Sequence, residues 1–255
     1  MSAKAITFNG YNLQTTNVVC TNLQFMSVSL DNSRARRSTT DRLKFVENYI
    51  SEGEIIYEGY IKGADSDACE LLLDTLKSNV VTSEPAFLDI AYGGATRRYR
   101  VKADDVEVVR ETPSLDVKYI RIAFEKYELL GLDTTATVLT YEDETAGTIE
   151  KEVTFGGTYE PEPVYILNFT AGDSVSNIKI FVEETNKEIE IQQAITTGDE
   201  IIVDVPNKVV TFNDTSIDTL GIFPTVRRGV NNITFTIVSS SHDVDITISY
   251  VKRYL

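Results

Sequence analysis

The chain of 255 residues contains no tryptophan, one histidine and two cysteines. Each shortage closes off a class of function. With His242 as the sole histidine, a zinc site built on several histidines is excluded. A Ser-His-Asp triad is reduced to a weak pairing of His242 with Asp243. Neighbouring strand residues point to opposite faces, so those two side chains do not meet by default, and His242 reads as a surface turn residue. Cys20 and Cys69 are too few for a disulfide scaffold or a tetrahedral metal site; they read as buried thiols in a reducing compartment. Cys69 falls in the first turn of a predicted helix, but Asp67 and Glu70 beside it oppose ionisation, so it reads as a packed thiol and not a nucleophile. Neither GxGxxG nor GxxxxGK[ST] occurs, which removes the common phosphate-binding loops. No run of eighteen apolar residues is present, so no membrane-spanning helix is expected. Met1–Tyr11, with one lysine and no apolar core, does not resemble a secretory signal, and synthesis and first folding are expected in a cytoplasm.

Acidity and alternation are what the sequence does have. There are 24 basic and 39 acidic residues, a net charge of −15, with 42% hydrophobic residues. That is enough apolar content for packed cores, without the signature of disorder. An acidic surface repels phosphate backbones and anionic membranes and keeps a densely packed assembly soluble. The charge is uneven. Residues 1–130 hold 16 basic and 19 acidic residues, and residues 131–255 hold 8 and 20. We therefore expect two domains, 1–130 and 131–255, divided where Gly131-Leu132-Asp133 interrupts the pattern after "YELLG".

Short alternating segments dominate both halves. In the first, Lys4–Phe8, Val18–Leu30, Glu54–Ile61, Phe87–Tyr92, Thr96–Ala103, Val106–Glu111 and Val117–Tyr127 read as strands, with Gly93-Gly94 as a hairpin turn. The spacing predicts one helix over Asp67–Ser78. Asp67 and Glu70 form its capping box, and Ala68, Leu71, Leu72, Thr75 and Leu76 make its apolar face. In the second half, strands are expected at Ala136–Tyr141, Glu150–Phe155, Val164–Thr170, Asn177–Glu184, Lys187–Gln192, Glu200–Val205, Lys208–Phe212, Asn232–Ser239 and Asp243–Arg253. Pro206-Asn207 marks the clearest hairpin. Many short strands at this spacing indicate a β-sandwich. The run Glu142-Asp143-Glu144, in a predicted turn, and the alternating Asp243 and Asp245 lack the spacing of a calcium loop and read as solvated faces. No catalytic, cofactor-binding or metal-binding residue is expected.

One segment stands out chemically. Asp31–Lys44, "DNSRARRSTTDRLK", carries five basic and two acidic residues. It reads as a loop or extended arm, whereas Leu43–Ile50 fits either a short helix or a strand. A solvated loop is the plain reading. The functional one is an arm, with Arg34, Arg36, Arg37 and Arg42 lying on an acidic surface of a neighbouring subunit and Leu43 and Phe45 adding apolar burial.

Together "AITFNGYNL", "GYIKGADSDACELLLDTLKSNV", "GDEIIVDVPNKVVTFNDTSI", "GVNNITFTI" and the closing "DVDITISYVKRYL" resemble the distal tail protein (Dit) family of long-tailed, siphovirus-type phages. The resemblance implies a mainly β fold: an N-terminal tail-tube-like β-sandwich with one flanking helix, then a C-terminal galectin-like or carbohydrate-binding-module-like sandwich. It implies a homohexameric ring in the virion, with residues 31–45 as a belt around the next subunit. The ring would join the tail-tube protein to the tail-tip hub, a tail-associated lysin-type protein. Tape-measure and receptor-binding proteins would be further neighbours, and DNA would only pass through the channel. Two other functions are compatible with the strands: a carbohydrate-binding adhesin, weakened because galectin-type sugar sites use a tryptophan that this chain lacks, and a tail-tube protein that stacks into a shaft.

Overall fold

The computed structural model describes residues 5–25, 30–36, 43–50, 53–92, 95–113, 115–127, 130–173, 175–239 and 241–254, with backbone alone at 30–36, 43–50, 92 and 172–173. The chain packs as two compact units, residues 1–132 and 133–254.

In the first unit, alternation of apolar and polar residues builds an antiparallel ladder. Its order is Tyr11–Asn12, Ala5–Phe8, Ala86–Tyr92, Ala95–Ala103, Val117–Lys126, Glu54–Lys62, Val18–Phe25, with Glu107–Glu111 also paired to Val117–Lys126. Ile55, Tyr57 and Ile61 of one strand and Ile120, Ile122 and Phe124 of its neighbour are buried on the inner face. Phe8 and Phe124 lie three strands apart along the ladder, yet their ring centroids are 5.4 Å apart. A flat sheet would separate those strands by roughly 14 Å, so this one curls over its own core. Tyr57 donates its hydroxyl to the Leu13 carbonyl at 2.9 Å, and burial pushes its phenol up. Only glycine fits at 59: a Cβ there would stand 2.2 Å from the Val19 carbonyl oxygen, beside the bulge between Cys20 and Asn22.

The helix, Ser66–Val80, covers the open side of this core. Its cap is Asp65, whose carboxylate accepts from the Ala68 amide at 2.8 Å, so the expected cap at Asp67 is corrected by two residues. Its buried face is Cys69, Leu73, Leu76 and Val80, spaced four, three and four residues apart as a helix stripe requires. The expected face was rotated: Leu71 is 69% exposed, because three successive leucines offer two overlapping stripes and the neighbouring sheet selects one.

The second unit is a sandwich of two antiparallel sheets. The six-stranded sheet runs Thr137–Glu144, Ser241–Tyr250, Val164–Asp173, Glu200–Asp204, Val209–Phe212, Thr215–Ser216. The five-stranded sheet runs Thr148–Phe155, Gly229–Val238, Asn177–Val182, Lys187–Ile191, Leu220–Gly221. Aromatic contacts cross between the layers: Tyr165 meets Phe235 edge-on at 6.1 Å and Phe155 meets Tyr250 at 4.7 Å. Tyr165, fully buried, also donates its hydroxyl to the Pro224 carbonyl at 3.0 Å. In the hairpin at Pro206-Asn207, the Asp204 carboxylate accepts from both the backbone and side-chain amides of Asn207.

Several local expectations need correction. His242 is not a surface turn residue. The strand starts at Ser241, and strict alternation buries His242, Val244, Ile246, Ile248 and Tyr250 together. Cys69 is buried as expected, but Cys20 is only partly so. Glu142, Asp143 and Glu144 lie in a strand and not a turn; a bulge there lets Asp143 adopt φ +56° and give its amide to the Asp245 carboxylate at 3.0 Å. The strands Thr215–Ser216 and Leu220–Gly221 were not expected; at two residues each they are too short to show a period. Gly93-Gly94 lies outside the described residues.

Candidate assembly surfaces

The basic arm is neither a loop nor a helix over its described residues. Leu30–Arg36 and Leu43–Ile50 form an antiparallel hairpin, with a bulge between Ser33 and Arg34. Polar residues such as Asn32 and Ser33 hide this strand from a pattern search, because they interrupt the alternation by which a strand is recognised. Its register places Arg34 opposite Phe45 and Arg36 opposite Leu43. Four of the six arm residues are thus brought together in two facing pairs; Arg37 and Arg42 lie outside the described residues. Among the described residues the hairpin pairs with no other strand. A lone two-stranded ribbon is marginal in water, so it gains from a surface to lie on.

The same unit offers such a surface. Glu54, Asp104, Asp105, Glu107 and Glu125, with Lys102, Arg121 and Ala123, line an open groove of about 700 Å³. Two of its carboxylates are engaged from within, Asp104 by Lys102 at 3.3 Å and Glu107 by Arg121 at 3.7 Å. The groove draws on residues from 54 to 125, a grouping that no local motif announces. Nearby, Lys118 is clamped between Glu70 of the helix and Glu111 of a strand, 2.6 Å from each. The hydrogen bonds it donates to Glu111 and Glu70 hold its ammonium pKa above the usual lysine range, and the clamp ties helix to sheet.

His242 and Cys69, two of the residues weighed for chemistry, are engaged structurally. His242 Nε2 donates to the Ala146 carbonyl at 3.1 Å, which leaves Nδ1 to accept from the Ser239 hydroxyl at 2.7 Å. Both nitrogens are used and Asp243 is not a partner. Cys69 gives its thiol to the Ile61 carbonyl. Burial pushes the Cys20 thiol up to about 11, so it stays protonated at neutral pH. Among the described residues, no group of three or more His, Cys, Asp or Glu side chains is placed to hold a metal ion. Sequence reasoning also passed over Arg227-Arg228, although a basic pair within an acidic half was a visible signal.

Comparison with known proteins adds two findings. Residues 156–254 match the family described as siphovirus-type tail component, C-terminal domain. The whole chain superposes on the crystal structure of phage SPP1 Dit (gp 19.1), described as a paradigm of hub adsorption apparatus in Gram-positive-infecting phages. The TM-score is 0.71 at 10% identity, over 98% of this chain and 99% of that one. At that identity the likeness shows the fold. The phage p2 baseplate structures align over 96% and 98% of this chain at 11% identity, but with TM-scores of 0.38 and 0.40 they carry no argument. No curated protein matches. The resemblance to the distal tail family and the mainly β fold it implies both stand on the first two findings.

Proposed function

We propose, from the premise that residues 156–254 belong to the siphovirus-type tail components and that the whole chain has the Dit fold, that this protein is the structural hub of a phage tail tip or baseplate. Six copies close into a ring through the N-terminal unit. The ring joins the tail tube to the tail-tip hub and the receptor-binding machinery in the virion, and the protein has no enzymatic role. The observation that carries this reading is the coincidence of a family match in one unit with a fold match across both.

The arm supports ring closure. Arg34, Arg36, Arg37 and Arg42 are its cations, Leu43 and Phe45 its apolar members, and the groove around Glu54, Asp105 and Glu125 has the opposite charge. Arginine suits the task, since its planar fork takes a carboxylate with two hydrogen bonds. Each exposed pair contributes only about 0–1 kcal/mol, so several must act together. Negative-stain microscopy and mass photometry of the purified protein test the reading. Six-membered rings are expected. Long tubes would favour the shaft protein instead, and a strict monomer at high concentration would overturn the ring.

A further inference from the structure

The C-terminal unit holds 8 basic residues against 20 acidic ones, and most of its cations are bound within the unit. Lys151 pairs with Glu144, Lys179 with Glu188 and Glu190, Lys252 with Asp133 and Arg253 with Glu162. Lys187 donates to the Thr225 hydroxyl and Lys208 lies over the Phe223 ring. Arg227 and Arg228 are the exception: both are exposed, and neither has a carboxylate partner among the described residues. Their loop is fixed all the same. Asn231, fully buried, accepts from the Arg227 amide at 2.9 Å and donates to the carbonyls of Arg227 at 2.8 Å and Gly229 at 3.0 Å. A buried side chain thus fixes the backbone that carries two adjacent arginines, whose guanidinium groups pair with no carboxylate among the described residues.

Further along the strand that begins at Gly229 lies the opposite charge. Glu150, Glu152 and Glu183, with Lys151, Asn232 and Thr234, line a groove of about 410 Å³. Glu152 faces Asn232 and Glu150 faces Thr234 in the ladder. At ~3.3 Å per residue, the arginines and this groove are roughly 13–20 Å apart. Between them stands Val230, 51% exposed. Along the direction of Gly229–Val238 the patch reads basic, apolar, acidic, the acids lying on the paired strand Thr148–Phe155, so it complements itself when turned end for end.

We infer that two copies of the chain meet through this strand about a twofold axis near Val230, with Arg227 and Arg228 of each docking on Glu150 and Glu152 of the other. An isologous contact of this kind is made twice per pair, and bidentate arginine–carboxylate bonds suit both halves. It also gives neighbouring acidic units a favourable way to approach. The contact is independent of ring closure by the N-terminal unit.

The test uses the full chain carrying Val230→Cys, with the parent, which keeps Cys20 and Cys69, as control. A short bismaleimide should join two copies through position 230. R227E/R228E and E150K/E152K should each cut the cross-linked dimer at least fivefold, while an equimolar mixture of the two charge variants should restore it, since the mixed pair has one contact with reversed signs and one as in the parent. R227Q/R228Q gives the same reading if charge reversal impairs folding. Cross-linking that is indifferent to the arginines, or charge variants that do not complement, would overturn the inference. So would variants whose sole defect is weaker binding to polyphosphate, which would make the pair a polyanion site. Rings on grids from the same variants report on the hub separately.

Discussion

The two units solve the same packing problem with different resources. The first curls a single ladder and closes it with a helix over Cys69, Leu73, Leu76 and Val80. The second lays two sheets face to face and locks them with Tyr165–Phe235 and Phe155–Tyr250. Their charges differ as much as their cores. With 16 basic and 19 acidic residues in 1–130, the first has cations to spare for an arm. With 8 and 20 in 131–255, the second binds most of its cations internally. A mixed charge suits contact with copies of the same chain, whereas a dominant single sign discourages contact except where opposite charges are set apart in local patches. The family match falls in the second unit, whereas the fold match spans both.

The most direct way to break this comparison is to damage one core and watch the other. Phe235→Ala removes a fully buried ring and should lower the stability of the C-terminal unit by about 3–5 kcal/mol. Calorimetry of the full chain should show one transition shifted down and the other in place. Residues 131–255 expressed alone should give the well-dispersed proton spectrum of a folded β domain. A single transition that moves as a whole would show that the units do not fold separately.

A smaller effect is expected from the arm. Replacing Arg34, Arg36, Arg37 and Arg42 with serine should leave both thermal transitions unchanged and weaken ring closure by roughly tenfold to a hundredfold, as several pairs of about 0–1 kcal/mol each would predict. Raised salt should reproduce part of the loss in the parent. If the quadruple variant assembles like the parent at every salt concentration, the hairpin is passive.

The smallest effect sharpens the electrostatic side. Hydrogen bonds from Gln192 and Asn177, with Lys179 beside it, hold the Glu190 carboxyl down at about 2 against an ordinary value of 4.5. A depressed pKa adds stability that is present above the unfolded value and lost as pH falls through the folded one. The melting temperature of the C-terminal unit should therefore drop between pH 4.5 and about 2, and Glu190→Gln should flatten that part of the curve. Asp199, held down by Asn213 and Thr196, adds to the same trend. An unchanged slope in the glutamine variant would remove Glu190 from the account.

Much of the fold was legible because it rests on period-two alternation. "DVDITISY" announces a strand with one buried face, and the strands at Val164, Lys187 and Glu200 start where the sequence places them. Errors arose where two local signals competed. Asp65 and Asp67 both offer a cap, and three leucines in a row offer two helix faces, so only the neighbouring sheet decides. His242 was misplaced because its strand begins two residues before the apolar run makes it visible. The arm was legible as a basic segment but not as a ribbon, since residues such as Asn32 and Ser33 break the alternation that marks a strand. The two carboxylate grooves were invisible, because each gathers residues from distant parts of the chain.

The ladder also sets an order of events at the ribosome. Glu54–Lys62 is bonded to Val117–Lys126, so the first unit can finish soon after residue 126 has emerged. In the second, Thr137–Glu144 waits for Ser241–Tyr250, at the far end of that unit. Pairings so far apart in sequence are slow to form, since the loop between them must be closed first. The nascent chain therefore carries a completed first unit while the strands that follow remain without partners, and the second unit folds only once Ser241–Tyr250 has emerged.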